Sequence, residues 1–169
     1  MSETVTLEGL GKGSLARIVM SKLRPDVDLL EGIKEIGARE NVQLGVILSA
    51  IGVLKKATFR NLKVFPSNLK IDDSHRLYLD FEQPLELVSL TGWIAAKEGG
   101  GHEVHAHLSV STVIENSIVT LGGHLIPGAI TAIKTVIGIG VIEGTDIRAE
   151  IDERFNQFDL KLPSLGKEA

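Results

Sequence analysis

Residues 102–110, HEVHAHLSV, alternate in the way that is typical of a β-strand with one buried side. Apolar residues occupy the even positions from 104 to 110, and His105 and His107 occupy two of the odd positions between them. Because successive side chains of a strand point to opposite faces, one face is apolar and the other carries both imidazoles. The stretch therefore predicts a sheet with a histidine pair on the face opposite its core.

Most of the remaining chain consists of β-branched or alternating runs separated by turn residues. Strands are predicted in 14–22, on both sides of a bend near Ala50–Gly52, on both sides of Gln83–Pro84, in 117–125, in the β-branched region 126–142 and in 143–152. Residues 66–75 are predicted to form a loop, and the polar tail from residue 153 is expected to fray or to be held by its Phe and Leu residues. The pattern favours an antiparallel or mixed sheet.

A single segment has clear helical periodicity. Val27, Leu30, Ile33 and Ile36 follow one another at spacings of three, and aspartates precede or interrupt the first turn. Carboxylates near a helix N-terminus accept hydrogen bonds from its free N–H groups. We therefore predict a helix from about residue 26 to residue 40, and an α+β domain with one main helix.

The composition limits the classes of protein that need to be considered. The 169 residues fit one domain, and the chain contains no cysteine, which excludes disulfides, thiolate nucleophiles and cysteine-ligated metal sites. The sequence lacks a recognisable signal peptide and a long apolar run, so a cytoplasmic protein is expected. The net charge of −4 argues against nucleic acid as the obvious partner, because a protein that neutralises many phosphates is expected to be basic, at least in patches.

Four of the five histidines lie within 23 residues, and three of them form a candidate metal site. His124 follows His107 after one turn and one strand, a separation that returns it beside His105 and His107. Gly122 and Gly123 suit a close backbone approach at that point. Three imidazoles can hold Zn²⁺ and leave a fourth position open. The alternative is a polar groove or subunit contact without metal.

Other residues carry weaker signals. The direction of His102, at the start of the strand, remains open, and His75 is expected at the surface. Glu103 is expected to turn away from His105 and His107, which disfavours it as a general base. The arginines at positions 17, 39 and 60 could bind an anion, but surface or salt-bridge roles are favoured for all three.

Four motifs in order resemble the PPC domain, the "plants and prokaryotes conserved" domain. They are SAIGVLKKATFRN at 49–61, ELVSLTGWIA at 86–95, EVHAHLSV at 103–110 and LGGHLIPGAI at 121–130. The histidine-x-histidine pair with a downstream glycine–glycine–histidine is the most specific part. The resemblance covers residues 14–152, which leaves 1–13 as an N-terminal extension and 153–169 as a C-terminal tail.

The resemblance implies a compact domain around a strongly bent, largely antiparallel sheet, assembled as a homotrimer. It also implies a zinc site near a subunit boundary, here on His105, His107 and His124. Plant relatives add AT-hook peptides that enter the DNA minor groove. This chain has no Arg-Gly-Arg-Pro core, so it corresponds to a stand-alone prokaryotic type of the domain.

Two classes of function follow from these observations. The first is a zinc-stabilised homotrimer that acts as a binding or assembly module, with DNA or another protein as its partner. The apolar stretch 129–142 fits a buried subunit interface, although a two-sided core explains it too. The second class is a hydrolase or lyase in which a three-histidine metal activates water. Imidazole ligands suit zinc, nickel, cobalt and copper alike, so the metal's identity stays open.

Overall fold

We analysed a computed structural model of the chain, which describes residues 6–164. Its elements in chain order are β1 (Ser14–Leu23), α1 (Leu29–Arg39), β2 (Leu44–Leu62), β3 (Arg76–Phe81), β4 (Leu85–Ala96), β5 (His102–Ile114), β6 (Ser117–Leu125), β7 (Ile130–Glu143), β8 (Arg148–Asp152) and β9 (Gln157–Lys161). A 3₁₀ turn at Asp73–His75 precedes β3. The predicted connection at Gln83–Pro84 falls between β3 and β4, as expected, and Glu115–Asn116 connect β5 to β6.

Seven strands form one antiparallel sheet in the order β1-β7-β2-β4-β5-β6, with β3 paired to β2. The sheet bends far enough for β2 to pair also with β6, through Phe59 opposite Leu125 and Arg60 opposite His124. The prediction of a single domain with a bent, largely antiparallel sheet is confirmed. The α+β class is corrected to mostly β, because residues 6–164 contain one α-helix, which packs on a sheet that includes most of them.

The prediction of two strands around a bend near Ala50–Gly52 is wrong in the number of strands, since β2 continues through the bend as one strand of 19 residues. Its pairing with β7 shifts register at Ile47/Ser49, Gly52/Leu54 and Leu54/Lys56. Such irregularities bend a strand and increase its twist without ending it. The bends carry the far end of β2 round to β6, and they therefore bring Arg60 to the histidines.

The helix is shorter than predicted, with Asp28 as its N-cap. The Asp28 carboxylate accepts hydrogen bonds from the backbone N–H of Leu30 at 3.0 Å and of Gly128 at 2.6 Å, which ties the helix to the turn before β7. The helix buries Leu29, Leu30, Ile33 and Ile36 against the core face of the sheet. Among residues 6–164, no helix has the length and apolar character needed to span a membrane.

The predicted tail contains a strand, β9, that was not predicted. Residues of β9 pair with β8, with Ile151 opposite Phe158. This hairpin lies over the face of the sheet opposite the helix, which we call the outer face, and there Phe158 and Leu160 pack with a small cluster that includes Leu44 and Ala95. The tail is thus held by its Phe and Leu residues, one of the two outcomes that the sequence left open.

Candidate metal centre

Two adjacent strands place the three histidines on the outer face. His107 of β5 lies directly opposite His124 of β6, and His105 is two residues before His107 on the same face. The even positions Val104, Ala106 and Leu108 are buried in the core, as the alternation predicts. The strand pairing therefore brings together the three residues that the sequence singled out.

The imidazoles converge closely enough to share one metal ion. Their ligand nitrogens all lie within 4.8 Å of one another, and His124 Nδ1 is 3.4 Å from His107 Nε2. Nitrogens bound tetrahedrally to zinc at ~2.0–2.1 Å are separated by roughly 3.4 Å, so this pair already has the required spacing. The ring centroids of His105 and His124 are 4.8 Å apart in an edge-to-face arrangement. The donor set thus fits a transition metal that prefers imidazole.

Gly122 allows the strand that carries His124 to approach β5. A Cβ atom at this position would lie 2.1 Å from the carbonyl oxygen of Leu108, which is a backbone atom that cannot move aside easily. A Cβ at Gly123 would lie 3.0 Å from the Asn61 side-chain oxygen. The expectation that these glycines permit a close approach is confirmed, and the approach sets the position of His124.

The electrostatic surroundings keep the three imidazoles neutral. Burial, followed by the Arg60 guanidinium and the other two histidines, lowers the pKa of His124 to about 3. Burial also lowers the pKa of His105, with His107 as the second cause, and burial and Arg60 lower the pKa of His107. A metal binds the unprotonated ring nitrogen, so these shifts keep the ligand form present at neutral pH.

The other two histidines lie outside this cluster. His102 packs on the core side against Gly37 of the helix, and its Nε2 is 2.8 Å from the carbonyl oxygen of Val42. His75 closes the 3₁₀ turn, where its Nδ1 accepts a hydrogen bond from the Asp72 N–H at 3.2 Å. Both contacts give these histidines structural roles, and for His102 they settle the direction that the sequence left open.

The expectation for Glu103 is wrong. Glu103 and His105 are two residues apart on a regular strand, so they share the outer face, and both line one cavity. The Glu103 carboxylate lies 3.8 Å from Lys97 Nζ in a partly exposed ion pair. Glu103 is therefore near the histidines, although its charge is directed to a lysine.

A cavity of about 690 Å³ adjoins the histidines, and its polar wall includes residues that sequence reasoning did not connect with the site. Arg60 comes from β2, Arg76 from β3, and Gln157 and Phe158 from the hairpin β8–β9. These segments are distant in sequence and carry no spacing motif. The only available signal was Arg60 in the motif KKATFRN, for which surface or salt-bridge roles were favoured.

The chain matches the model of a known protein family. The family model of the Plants and Prokaryotes Conserved (PCC) domain matches residues 10–153. The chain belongs to the PCC-domain family. This is the family that the motifs resemble under the abbreviation PPC, so that identification is confirmed, and the three histidines lie within the matched region.

Solved structures share the PCC fold with this chain. A plant- and prokaryote-conserved protein of Pyrococcus horikoshii has a TM-score of 0.72 and 24% identity over 90% of this chain and 99% of that one. A metal-containing protein of Archaeoglobus fulgidus has a TM-score of 0.72 and 18% identity, and the match covers 90% of this chain and 98% of that one. A candidate DNA-binding protein of Ralstonia eutropha JMP134 has a TM-score of 0.66 and 18% identity, and the match covers 85% of this chain and 90% of that one. At these identities the similarity establishes the fold alone.

A larger protein contains a related segment. The bifunctional protein GlmU of Synechococcus sp. (strain JA-3-3Ab) is 33% identical over 121 residues, which cover 72% of this chain. The match covers 16% of the length of GlmU. The similarity therefore concerns a segment of that protein, and its named activity is not transferred to the PCC domain described here.

Proposed function

We propose that this PCC-domain protein is a metal-dependent binding module that holds one Zn²⁺ ion on His105, His107 and His124. The carrying observation is the convergence of three neutral imidazoles on the outer face, with one pair at 3.4 Å. The description of the Archaeoglobus protein as metal-containing supports the same assignment. Bound zinc would join β5 to β6 and would keep one position open for a ligand from the adjoining cavity.

We infer that the module works as a homotrimer, because an apolar part of the outer face lies uncovered. Ile18, Met20 and Leu48 are 56%, 66% and 49% exposed. They are neighbours across β1, β7 and β2, where Gly138 and Gly140 leave room for side chains from the flanking strands. Contiguous apolar surface of this kind marks interaction sites in soluble proteins. The number of three copies comes from the resemblance to the PPC domain, and in such a ring each apolar surface contacts a different surface of the next copy.

DNA is the partner suggested by the description of the Ralstonia protein. Against it, the net charge of this chain is −4, and Arg17 and Arg39 are ion-paired with Glu143 and Glu35 at 3.0 and 2.7 Å. Protein or small-molecule partners are therefore favoured. A mobility-shift assay with duplex DNA between 25 and 200 mM salt tests this, as phosphate-driven affinity falls with a log–log slope of about −0.9 per neutralised phosphate. A complex with such a slope would restore DNA as the partner.

Glu103 supports a second candidate, a hydrolase or lyase that uses metal-bound water. Its carboxylate lines the same cavity as the histidines and could accept a proton there. A screen of ester, phosphoester and hydration substrates with the zinc-loaded protein tests this candidate. Turnover that disappears in Glu103→Gln while zinc is retained would establish it in place of the binding module.

Metal analysis tests the main proposal directly. Purified protein, dialysed against a weak chelator, is expected to retain about one zinc per chain. His105→Ala and His124→Ala are expected to lose it, whereas the matched control His75→Ala retains it. Zinc retained in either cluster variant, or lost equally in the control, would contradict the ligand set.

A further inference from the structure

One arginine of the cavity beside the histidines, Arg60, has no ion-pair partner in the described part of the chain. Four side chains that line it are charged at neutral pH, namely Lys34, Arg60, Arg76 and Glu103. Three of these have an ion-pair partner: Lys34 with Glu31 at 2.8 Å, Arg76 with Asp73 at 2.9 Å and Glu103 with Lys97 at 3.8 Å. Within residues 6–164, no carboxylate oxygen lies within 4.0 Å of the Arg60 guanidinium.

The nearby acidic group is already engaged. The Asp73 carboxylate accepts hydrogen bonds from Arg76 Nη1 at 2.9 Å and from the Tyr78 hydroxyl at 2.8 Å, both at the same oxygen. Arg76 also donates to the Gln157 side-chain oxygen at 3.0 Å, and its side chain is only 12% exposed. Arg76 is thus fixed as part of the wall, and its charge adds to that of Arg60.

Strand geometry directs Arg60 toward the metal ligands. Arg60 lies opposite Tyr78 on one side and opposite His124 on the other, so all three share the outer face. Arg76 lies opposite Leu62, two residues from Arg60, and therefore has the same orientation. The half-buried guanidinium stands beside neutral imidazoles. Burial and then Arg76 lower the pKa of Arg60, and Tyr78 and Asp73 act in the opposite direction without restoring it to its ordinary value. A fixed cation in such surroundings is costly unless an anion joins it.

We propose that this cavity binds a small oxyanion ligand, carrying a phosphate or carboxylate group, with Arg60 as its main anchor. The planar guanidinium matches both groups with two parallel hydrogen bonds. A volume of about 690 Å³ is suitable for a small molecule and too small for a folded partner. The inference rests on the proposed metal function for its second anchor, since an oxygen of the ligand can occupy the open metal position.

Titration calorimetry of the zinc-loaded protein with inorganic phosphate, and separately with malonate, in Tris-chloride tests the proposal. We expect one binding event per chain with at least one probe, and the stronger probe identifies the class. Arg60→Gln is expected to weaken that binding by about tenfold or more, through loss of a charge-assisted pair. Arg60→Lys keeps the positive charge but cannot form two parallel hydrogen bonds. Its affinity for the probe should therefore lie between those of the parent and Arg60→Gln. Arg39→Gln, at an exposed arginine of the helix, is the matched control and should bind like the parent.

The outcomes separate this inference from the metal proposal. Oxyanion binding that depends on Arg60 in a chain that takes up no zinc would support the anion site and contradict the metal function. Zinc uptake with no binding of either probe, or binding equal in the parent, Arg60→Gln and Arg60→Lys, would overturn the anion site alone. Zinc content and melting temperature of each variant show whether the fold is intact. If Arg60→Gln does not fold, the affinity of Arg60→Lys relative to the parent tests the anion site.

Discussion

Arg60 of β2 lies directly opposite His124 of β6, although 63 residues separate the two positions along the chain. This pairing exists because β2 bends and reaches the far edge of the sheet. It places a fixed positive charge beside a candidate metal ligand, and that charge is the largest cause, after burial, of the low pKa of His124. The proposed zinc site and the proposed oxyanion site are therefore adjacent parts of one cavity.

Replacing His102 is expected to separate stability from metal binding. His102→Ala removes the contact of Nε2 with the Val42 carbonyl oxygen at 2.8 Å and leaves a gap beside the helix. A lost hydrogen bond of a partly buried group costs about 1–3 kcal/mol of unfolding free energy. Denaturant unfolding should show this loss while zinc content stays at the parent level. Parent-like stability together with loss of zinc in His102→Ala would contradict the structural role assigned to His102.

Acidification is expected to destabilise the metal-free protein below about pH 6.5. In the unfolded chain a histidine binds a proton near that pH, whereas the pKa of His124 in the folded chain is about 3. Between these values the unfolded state binds more protons, so unfolding free energy falls as pH falls, by at most ~1.4 kcal/mol per pH unit for one group. Partial exposure reduces this slope.

The measurement is urea unfolding of chelator-treated protein from pH 7.5 to pH 4. His124→Gln cannot take up the proton and should show a shallower decline over the lower part of that range. His75→Gln serves as the comparison, because His75 lies outside the cluster. Identical pH profiles for the parent and His124→Gln would show that the environment of His124 does not depress its protonation.

Gly122→Ala is expected to weaken both the fold and the metal site. Its Cβ would lie 2.1 Å from the Leu108 carbonyl oxygen, so β5 and β6 must separate. Overpacking of this kind costs about 1–3 kcal/mol, and the separation moves His124 away from His107. Thr120→Ala, at an exposed position of the same strand, is the control. Thermal unfolding and zinc content should change in the first variant and stay close to the parent in the second.

Charge on the uncovered apolar face is expected to dissociate the proposed trimer. Met20→Asp buries a carboxylate if the face is an interface, and an unpaired buried charge costs several kcal/mol. Light scattering should give a trimer for the parent and a monomer for this variant. Ile118→Asp, at a 79% exposed position on β6, is the comparison and should remain trimeric. A monomeric parent at micromolar concentration would contradict the assembly.

Local patterns predicted those parts of the structure that depend on near neighbours in sequence. Alternation identified the core and outer faces of β5, and the aspartate before the first helical turn proved to be the N-cap. Because β5 and β6 are joined by only two residues, they pair as neighbouring antiparallel strands, and His124 lies beside His107. The strand β9 was missed although its five residues alternate between polar and apolar, a pattern that is typical of a half-buried strand. It is stabilised by packing of Phe158 and Leu160 on the sheet.

The sequence by itself determined the family, the sheet and the set of three histidines, because each depends on periodicity or on a motif within about 20 residues. The position of Glu103 on the histidine face follows from strand alternation, which the sequence already contains. Tertiary structure alone decided that β2 is continuous and that Arg60 and Arg76 join the histidines at one cavity. These relationships depend on where a bent strand ends in space. The bend of β2 results from several small register shifts along the strand, and no local residue pattern predicts their combined effect.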